Sequence, residues 1–545
     1  MPPRGALTPG QLGLLTSLYI VAALNGAFWT RLLADVQPAA FGDWLFVLAF
    51  AVALVALLNA ALSVAAVPFV LKPLAAGLVL LSAFAAYFID EFGTAIDANM
   101  IRNVLETDAH EAGEFLTGPF LAFVILLGVV PAGLIVIAPV RWPTLPKALS
   151  ANSARILISS SLAGALVLSF YASFASTIRE SRDLLFALVP SNFIVALAKY
   201  GTQHHAPHTL RRFGEDAHRD DIKTASGRPL VTILVVGETA RSANFSLNGY
   251  ARETNPRLSH TDSILSFKQA SSCGTDTAHS VPCMFSGIGQ EKFTVADAAG
   301  QENLLHILRR AGLDVLWRDN QSGCKGVCKD VATELLIKRR DASHDGEASY
   351  DEVLLDGLED RIAAMKHGGL IVLHMMGSHG PAYFKRVPAS FARFQPTCQS
   401  AQLSHCTGEQ IVNSYDNTIL YTDHVLAELI KILGAVEAKG IDTAMIYVSD
   451  HGESLGEKGL YLHGMPRALA PREQTHIPFI IWISHATQAR LRVSMECLQE
   501  LAATIGASHD NLFHMVFGMF AIRTHLYDPR LDLLHRCGAR RESPT

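Results

Sequence analysis

Two patterns of apolar and polar positions divide this 545-residue chain. Up to about Ser173 long apolar runs follow one another, and after about Arg228 short apolar runs alternate with mixed, helix-spaced ones. The first part holds five runs, at 12–30, 44–67, 73–88, 119–140 and 156–173. Most approach the ~20 residues that cross a bilayer as helix. The third is the shortest and ends in Tyr87 and Phe88, aromatic residues suited to an interface. Five such runs in succession predict five transmembrane helices, and the first is not a cleaved leader because four more follow it.

From residue 228 onward the runs LVTILVVG, LDVLWRD, GLIVLHMMG, AMIYVSD and IPFIIWI read as strands. ENLLHILRRAG, EVLLDGLEDRIAAMKHG and the long EQIVNSYDNTILYTDHVLAELIKILGAVEAKG read as helices between them. This alternation predicts an α/β domain with a largely parallel sheet, in which ligands bind beyond the carboxyl ends of the strands. The expected organisation is a membrane domain at 1–173, an amphipathic connector and polar linker at 174–227, and a catalytic α/β domain at 228–545. Within the first, the loop 90–117 contains NMIRNVLETDAHE, a short helix with Asn103, Thr107 and Glu111 on one face. That face is either solvated or turned to lipid headgroups.

Charge sets the expected orientation. Arg4, Lys72, Arg141, Lys147 and Arg155 fall on one side of the spans. Arg31 and Arg102 fall on the other, among the acidic Asp90, Glu91, Asp97, Glu106, Asp108, Glu111 and Glu114. The cation-rich side is expected in the cytoplasm, which puts the N-terminus inside and everything after Ser173 outside, in the periplasm of a bacterial inner membrane. All eight cysteines lie in that exported part, clustered as Cys273/Cys283, Cys324/Cys328 and Cys398/Cys406, with Cys497 and Cys537 unplaced. Close pairs confined to an oxidising compartment suit disulfides better than a thiolate metal site. The formal net charge is −5, and no basic run points to nucleic acid.

Chemistry collects at the strand ends. Glu238 follows the first strand. Gln321 and Lys325 follow the second, in RDNQSGCKG. His374 and His379 follow the third, and Asp450, His451 and Glu453 the fourth, with His463 shortly after. Carboxylates with an imidazole at converging strand ends suit a zinc ion with an open position. The stretch SCGTDTAHSVPCMFSG looks like a turn entering a helix, where free N–H groups favour an alkoxide and a bound phosphate. Thr275, Thr277 and Ser280 are all candidate nucleophiles there, and each fits a helix cap equally well.

VVGETAR, SCGTDTAHSVPCMFSG, WRDNQSGCKGVC, MMGSHGPAYFKR, NSYDNTILYTD, YVSDHGESLGEKGLYLHGMP and SHDNLFH occur in this order. Together they resemble the bacterial phosphoethanolamine transferases, in particular the lipid A-modifying group that includes the mobile colistin-resistance enzymes, over essentially the whole chain. The resemblance implies an alkaline-phosphatase/sulfatase-like fold for the exported domain. It implies Thr277 as the nucleophile and Glu238, Thr277, Asp450 and His451 as ligands of one zinc. Lys325, His379 and His463 match positions that hold phosphate or a second zinc, with Glu453 beside them and with roles in catalysis. Gln321 stands where some relatives have Asn. Asn103, Thr107 and Glu111 match a lipid-binding loop. Cys273–Cys283, Cys324–Cys328 and Cys398–Cys406 match disulfides.

The implied reaction takes phosphoethanolamine from phosphatidylethanolamine to a lipid A phosphate through a phosphothreonine. It would weaken the attraction of cationic peptides such as polymyxin, and it is expected of an inner-membrane monomer. The alternatives are the same transfer to a core sugar or periplasmic glucan, a membrane-tethered phosphodiesterase, and a non-catalytic membrane-binding module.

Overall fold

The computed structural model describes residues 5–106, 113–180, 184–204, 210–220, 227–336 and 350–538. The chain divides into two compact units, one of Met1–Ile101 with Ala109–Thr202 and one of Arg102–Asp108 with Gln203–Thr545.

In the first unit four helices are long and apolar enough to cross a membrane: Phe41–Val64, Leu71–Phe92, Gly118–Ile137 and Leu145–Ser169. The fifth expected span is a bent pair, Pro9–Ala23 and Gly26–Val36, which meet at 62°. The break falls at Leu24–Asn25. There the Asn25 side chain accepts from Val189 N–H (2.9 Å) and donates to Ile20 O (2.9 Å) and Val189 O (3.0 Å). A side chain that caps exposed backbone groups in this way makes a break in an apolar helix tolerable. Two spans are longer than their apolar runs. The third helix continues through Asp90 and Glu91 to Phe92 and stops at Gly93, whose φ is +70°. The last begins at Leu145, in the polar stretch before its run, with Pro146 in its first turn. The connector forms helices Tyr171–Glu180, Leu184–Ala187 and Ser191–His204. Its Phe174, Leu184, Leu188, Val189 and Phe193 share one buried core with Phe28, Phe46 and Phe50.

The second unit is built on a seven-stranded sheet. Its strands are β1 (Leu230–Gly237), β2 (Ile264–Ser266), β3 (Asp314–Asp319), β4 (Ala332–Leu335), β5 (Gly369–His374), β6 (Asp442–Ser449) and β7 (Phe479–Ile483), in the order β2-β7-β6-β1-β5-β3-β4. β6, β1, β5, β3 and β4 run parallel, and β7 is antiparallel to both its neighbours. β1, β5 and β6 are buried along their whole length, as expected of parallel strands covered on both faces. The short edge strands β2 and β4 carry too little apolar pattern to be read from sequence. The segment read as one helix from Glu352 is a 3₁₀ turn, Asp351–Leu355, then a short helix, Leu358–Ala364, parted by Gly357 at φ +63°. Helix Gly408–Ala438 is anchored by a Thr407 capping box and buries much of its length, including the polar NSYDNT stretch.

Four disulfides pair all eight cysteines: Cys273–Cys283, Cys324–Cys328, Cys398–Cys406 and Cys497–Cys537. The last joins helix Met495–Thr504 to the turn at His535–Cys537 and closes a 40-residue separation that spacing gave no reason to pair.

Candidate active site

β1 and β6 are adjacent and in register, so their ends deliver Glu238 and Asp450–His451 side by side. Asp450 N–H donates to Gly237 O (2.9 Å), and Thr239 N–H donates to Asp450 Oδ1 (3.2 Å), which locks the two ends together. Thr239 adopts φ +50°, an uncommon conformation for a β-branched residue. It is held there by Tyr415 from the long helix, whose hydroxyl donates to Thr239 O (2.7 Å) and accepts from Arg241 N–H (2.9 Å). Local strain at a strand end is sustained only when surrounding bonds over-determine it, and Tyr415, in the buried polar stretch of that helix, supplies two of them. Gly377, at φ +53°, lies against Glu238 from the β5 side; a Cβ there would meet Glu238 O at 2.7 Å.

Helix Thr277–Ser286 begins at the same place. Its N-cap Asp276 accepts from His279 N–H (3.0 Å), so Thr277 is the first helical residue, at the positive end of the helix dipole. Thr277 Oγ1 lies 3.2 and 3.1 Å from the two carboxylate oxygens of Glu238 and 3.3 Å from His451 Nε2. Of the three candidate hydroxyls, the other two are engaged with the backbone. Thr275 Oγ1 donates to Met465 O (2.6 Å) and Ser280 Oγ accepts from Gly274 N–H (3.1 Å).

Glu238, Asp450 and His451 are fully buried and offer ligand atoms that all lie within 4.8 Å of one another. Among the described residues Asp450 Oδ2 accepts no hydrogen bond, and it sits 3.3 Å from His451 Nε2. Burial acts to raise the Glu238 carboxyl, but the hydrogen bond from His451 and the charges of His451, His379 and His463 outweigh it and hold it well below the usual range. Burial and the Glu238 charge push Asp450 up to about 6. Burial opposes charge on His451, yet Asp450 and Glu238 raise it to about 10. A cluster with this balance stabilises positive charge. Two carboxylates, one imidazole and one hydroxyl around a buried unsatisfied oxygen fit a divalent metal ion.

The remaining candidates line the neighbourhood. Gln321 donates from Nε2 to Glu238 Oε2 (2.8 Å), and its own N–H is held by Asp319 Oδ1 (2.9 Å). Lys325, at φ +49°, donates to Ser322 Oγ (2.9 Å) on the same loop, which the Cys324–Cys328 disulfide closes. His463 lies with its ring 4.4 Å from that of His451 and 5.7 Å from that of His379, and its Nδ1 is 3.4 Å from Glu453 Oε2. Glu453 is wholly buried, and among the described residues its Oε1 accepts no hydrogen bond. His374 does not join them: it pairs with Asp319 (3.0 Å), both side chains fully buried, beneath the Gln321 loop. Burial works against its charge, and the Asp319 carboxylate outweighs burial and raises its pKa. Asn103 lies on helix Ala98–Glu106, while Thr107 and Glu111 lie outside the described residues.

Two further residues of the site carried no sequence signal of their own. Ser449 accepts from Ala240 N–H (2.8 Å) and donates to His451 O (2.8 Å), which cross-links the ligand-bearing strand ends. Gly452 packs so closely that a Cβ would meet Glu473 O at 2.0 Å.

Comparison with known proteins is consistent along the whole length. Residues 54–205 match the family description Phosphoethanolamine transferase EptA/EptB, and residues 231–522 match Sulfatase. The chain is 41% identical over 537 residues to Phosphoethanolamine transferase EptA of Salmonella typhimurium, covering 97% of each. It is 37% identical over 496 residues to Phosphatidylethanolamine transferase Mcr-2 of Escherichia coli, covering 89% of this chain and 91% of that protein. The solved integral membrane lipooligosaccharide phosphoethanolamine transferase A (EptA) from Neisseria meningitidis superposes with a TM-score of 0.94 at 34% identity, covering 98% of this chain and all of that one. With this sequence similarity and a sulfatase-type fold carrying the site, the chain belongs to the EptA-type phosphoethanolamine transferases.

Proposed function

We propose that this enzyme moves phosphoethanolamine from phosphatidylethanolamine to a phosphate of lipid A, through a phosphothreonine at Thr277. The observation that carries this reading is the Thr277 hydroxyl, set at a helix N-terminus within 3.1–3.3 Å of Glu238 and His451. The names of the relatives support the donor and the acceptor: one is a phosphatidylethanolamine transferase and another acts on lipooligosaccharide.

Glu238, Thr277, Asp450 and His451 would hold a zinc ion, which when bound supplies positive charge that eases ionisation of a hydroxyl and offsets charge on a phosphoryl oxygen. Thr277 Oγ gives up its proton and attacks phosphorus. The new P–O bond forms as the bond to the diacylglycerol oxygen breaks, and diacylglycerol leaves protonated. His463, beside the buried Glu453, or His379, whose ring is 5.7 Å from that of His463, would pass the proton. A lipid A phosphate oxygen then attacks the same phosphorus, and Thr277 recovers its hydroxyl. Lys325 and Gln321 contribute charge and hydrogen bonds to phosphoryl oxygens as negative charge shifts in the transition state.

Charge asymmetry of the loops and disulfides confined to the second unit support a cytoplasmic N-terminus and a periplasmic site on a bacterial inner membrane. A site tethered to the membrane meets both lipids at high effective concentration. Each product molecule carries a new ammonium beside its phosphate, so the cell surface attracts polymyxin less. The test is mass spectrometry of lipid A from cells making the chain or its Thr277→Ala variant. One added phosphoethanolamine, seen only with Thr277, is expected. Unmodified lipid A from cells holding folded, membrane-inserted protein would refute the acceptor.

A further inference from the structure

We propose that His509 is a positioning residue that keeps the nucleophile segment in register with the metal-binding strand ends. It belongs to SHDNLFH, a motif to which neither the fold nor the mechanism above assigns a role. His509 is the first residue of helix His509–Phe520, whose Leu512, Phe513, Met515 and Val516 are locked into the core, and it is itself 1% exposed.

Both ring nitrogens are committed. Cys273 N–H donates to Nδ1 (3.0 Å), and Nε2–H donates to Ser449 O (2.9 Å). An acceptor on one side and a donor on the other define a single neutral tautomer. Each partner leads directly to the chemistry. Cys273 lies four positions before Thr277 and is clamped to the same helix by its disulfide to Cys283. Ser449 immediately precedes Asp450, and its hydroxyl joins Ala240 N–H to His451 O. One planar ring thus spans from the segment that carries Thr277 to the strand ends that carry Glu238, Asp450 and His451.

The nucleophile segment is also tied to the His463 side, through Gly464 N–H to Thr275 O (2.8 Å) and Thr275 Oγ1 to Met465 O (2.6 Å). Loss of His509 therefore leaves the segment attached but free to shift relative to the ligands. Displacement of a reacting group by about 1 Å costs on the order of 100-fold in rate.

The inference rests on Thr277 as nucleophile, so the experiment compares full-length wild type, His509→Ala, His509→Asn and Thr277→Ala in detergent micelles holding phosphatidylethanolamine and lipid A. It reads kcat, KM for each lipid, bound metal per protein and Tm. His509→Ala is expected to lower kcat by roughly 30- to 100-fold, with both KM values and metal content close to wild type and Tm lowered by the cavity and the two lost hydrogen bonds. His509→Asn retains an acceptor for Cys273 N–H and should recover about fivefold of that loss. If His509→Ala does not fold, His509→Asn against wild type decides by the same kcat and KM split. Wild-type kcat in a His509 variant folded at the assay temperature overturns the proposal, as does a fall in kcat that tracks loss of metal or the unfolded fraction. Wild-type activity in Thr277→Ala would overturn the nucleophile assignment and this inference with it, whereas an inert Thr277→Ala beside an active His509→Ala overturns the inference alone.

Discussion

The Thr277 hydroxyl lies almost equally far from the two oxygens of the Glu238 carboxylate, at 3.2 and 3.1 Å. One carboxylate therefore faces the nucleophile with both oxygens, while Gln321 binds its Oε2 from another side (2.8 Å). Thr277→Ala should lose transfer by at least about 10³-fold, as removal of a nucleophile does. Thr277→Ser keeps an oxygen on the same helix turn and should retain measurable turnover. Product formation followed by mass spectrometry checks both, and equal rates in Thr277→Ala and wild type would refute the role.

Removal of metal should abolish activity reversibly. Dialysis of the full-length protein against a chelator is expected to inactivate it, and added Zn²⁺ to restore turnover. Glu238→Gln withdraws one negative charge from a fully buried cluster. Its bound metal, measured by atomic emission after dialysis, should fall well below that of wild type. Full metal retention would contradict the ligand assignment.

Gly377→Ala should harm activity more than its size suggests. The residue sits at φ +53° with Glu238 O only 2.7 Å from the position of a Cβ. Strain and steric push together are expected to cost about 1–3 kcal/mol of stability and to displace Glu238. Lower Tm together with lower metal occupancy is the expected pair of readings, and a variant unchanged in both would show that the loop yields freely.

His509 also gives the acid limb of stability a source. Burial depresses its pKa from about 6.5 in the unfolded chain to about 4 in the folded protein. Its contribution is complete above pH 6.5. As pH falls from 6.5 to 4 the unfolded chain takes up a proton that the folded protein refuses, and roughly 3 kcal/mol of stability is lost. Denaturant titrations of wild type and His509→Asn at pH 7 and pH 4.5 should show the wild type losing more. Parallel losses would place the acid sensitivity elsewhere.

The Cys497–Cys537 bond, which closes a 40-residue separation, should be worth roughly 3–4 kcal/mol by loop-closure entropy. The double Cys→Ser variant is expected to have a lower Tm and an unchanged kcat at moderate temperature. A large fall in kcat with Tm intact would instead tie this bond to the site.

Whatever depends on local pattern was legible in the chain alone. Span length and apolar run length are set by the thickness of a bilayer, so the membrane helices could be read directly, and so could the five longer strands of the sheet, because strands buried inside a sheet are short continuous apolar runs. Glu238, Asp450 and His451 could be read as a group because a parallel sheet gathers strand ends at one edge. Whatever depends on distant backbone became legible once the chain was folded. The first span bends where Asn25 meets Val189, 164 positions away. Thr277, rather than Thr275 or Ser280, faces Glu238 because other partners occupy the latter two hydroxyls. Cys497 meets Cys537, and His509 bridges Cys273 and Ser449, across separations of 40, 236 and 60 positions. Neither periodicity nor spacing records such contacts, since they arise when the completed core brings otherwise unrelated segments within hydrogen-bond reach.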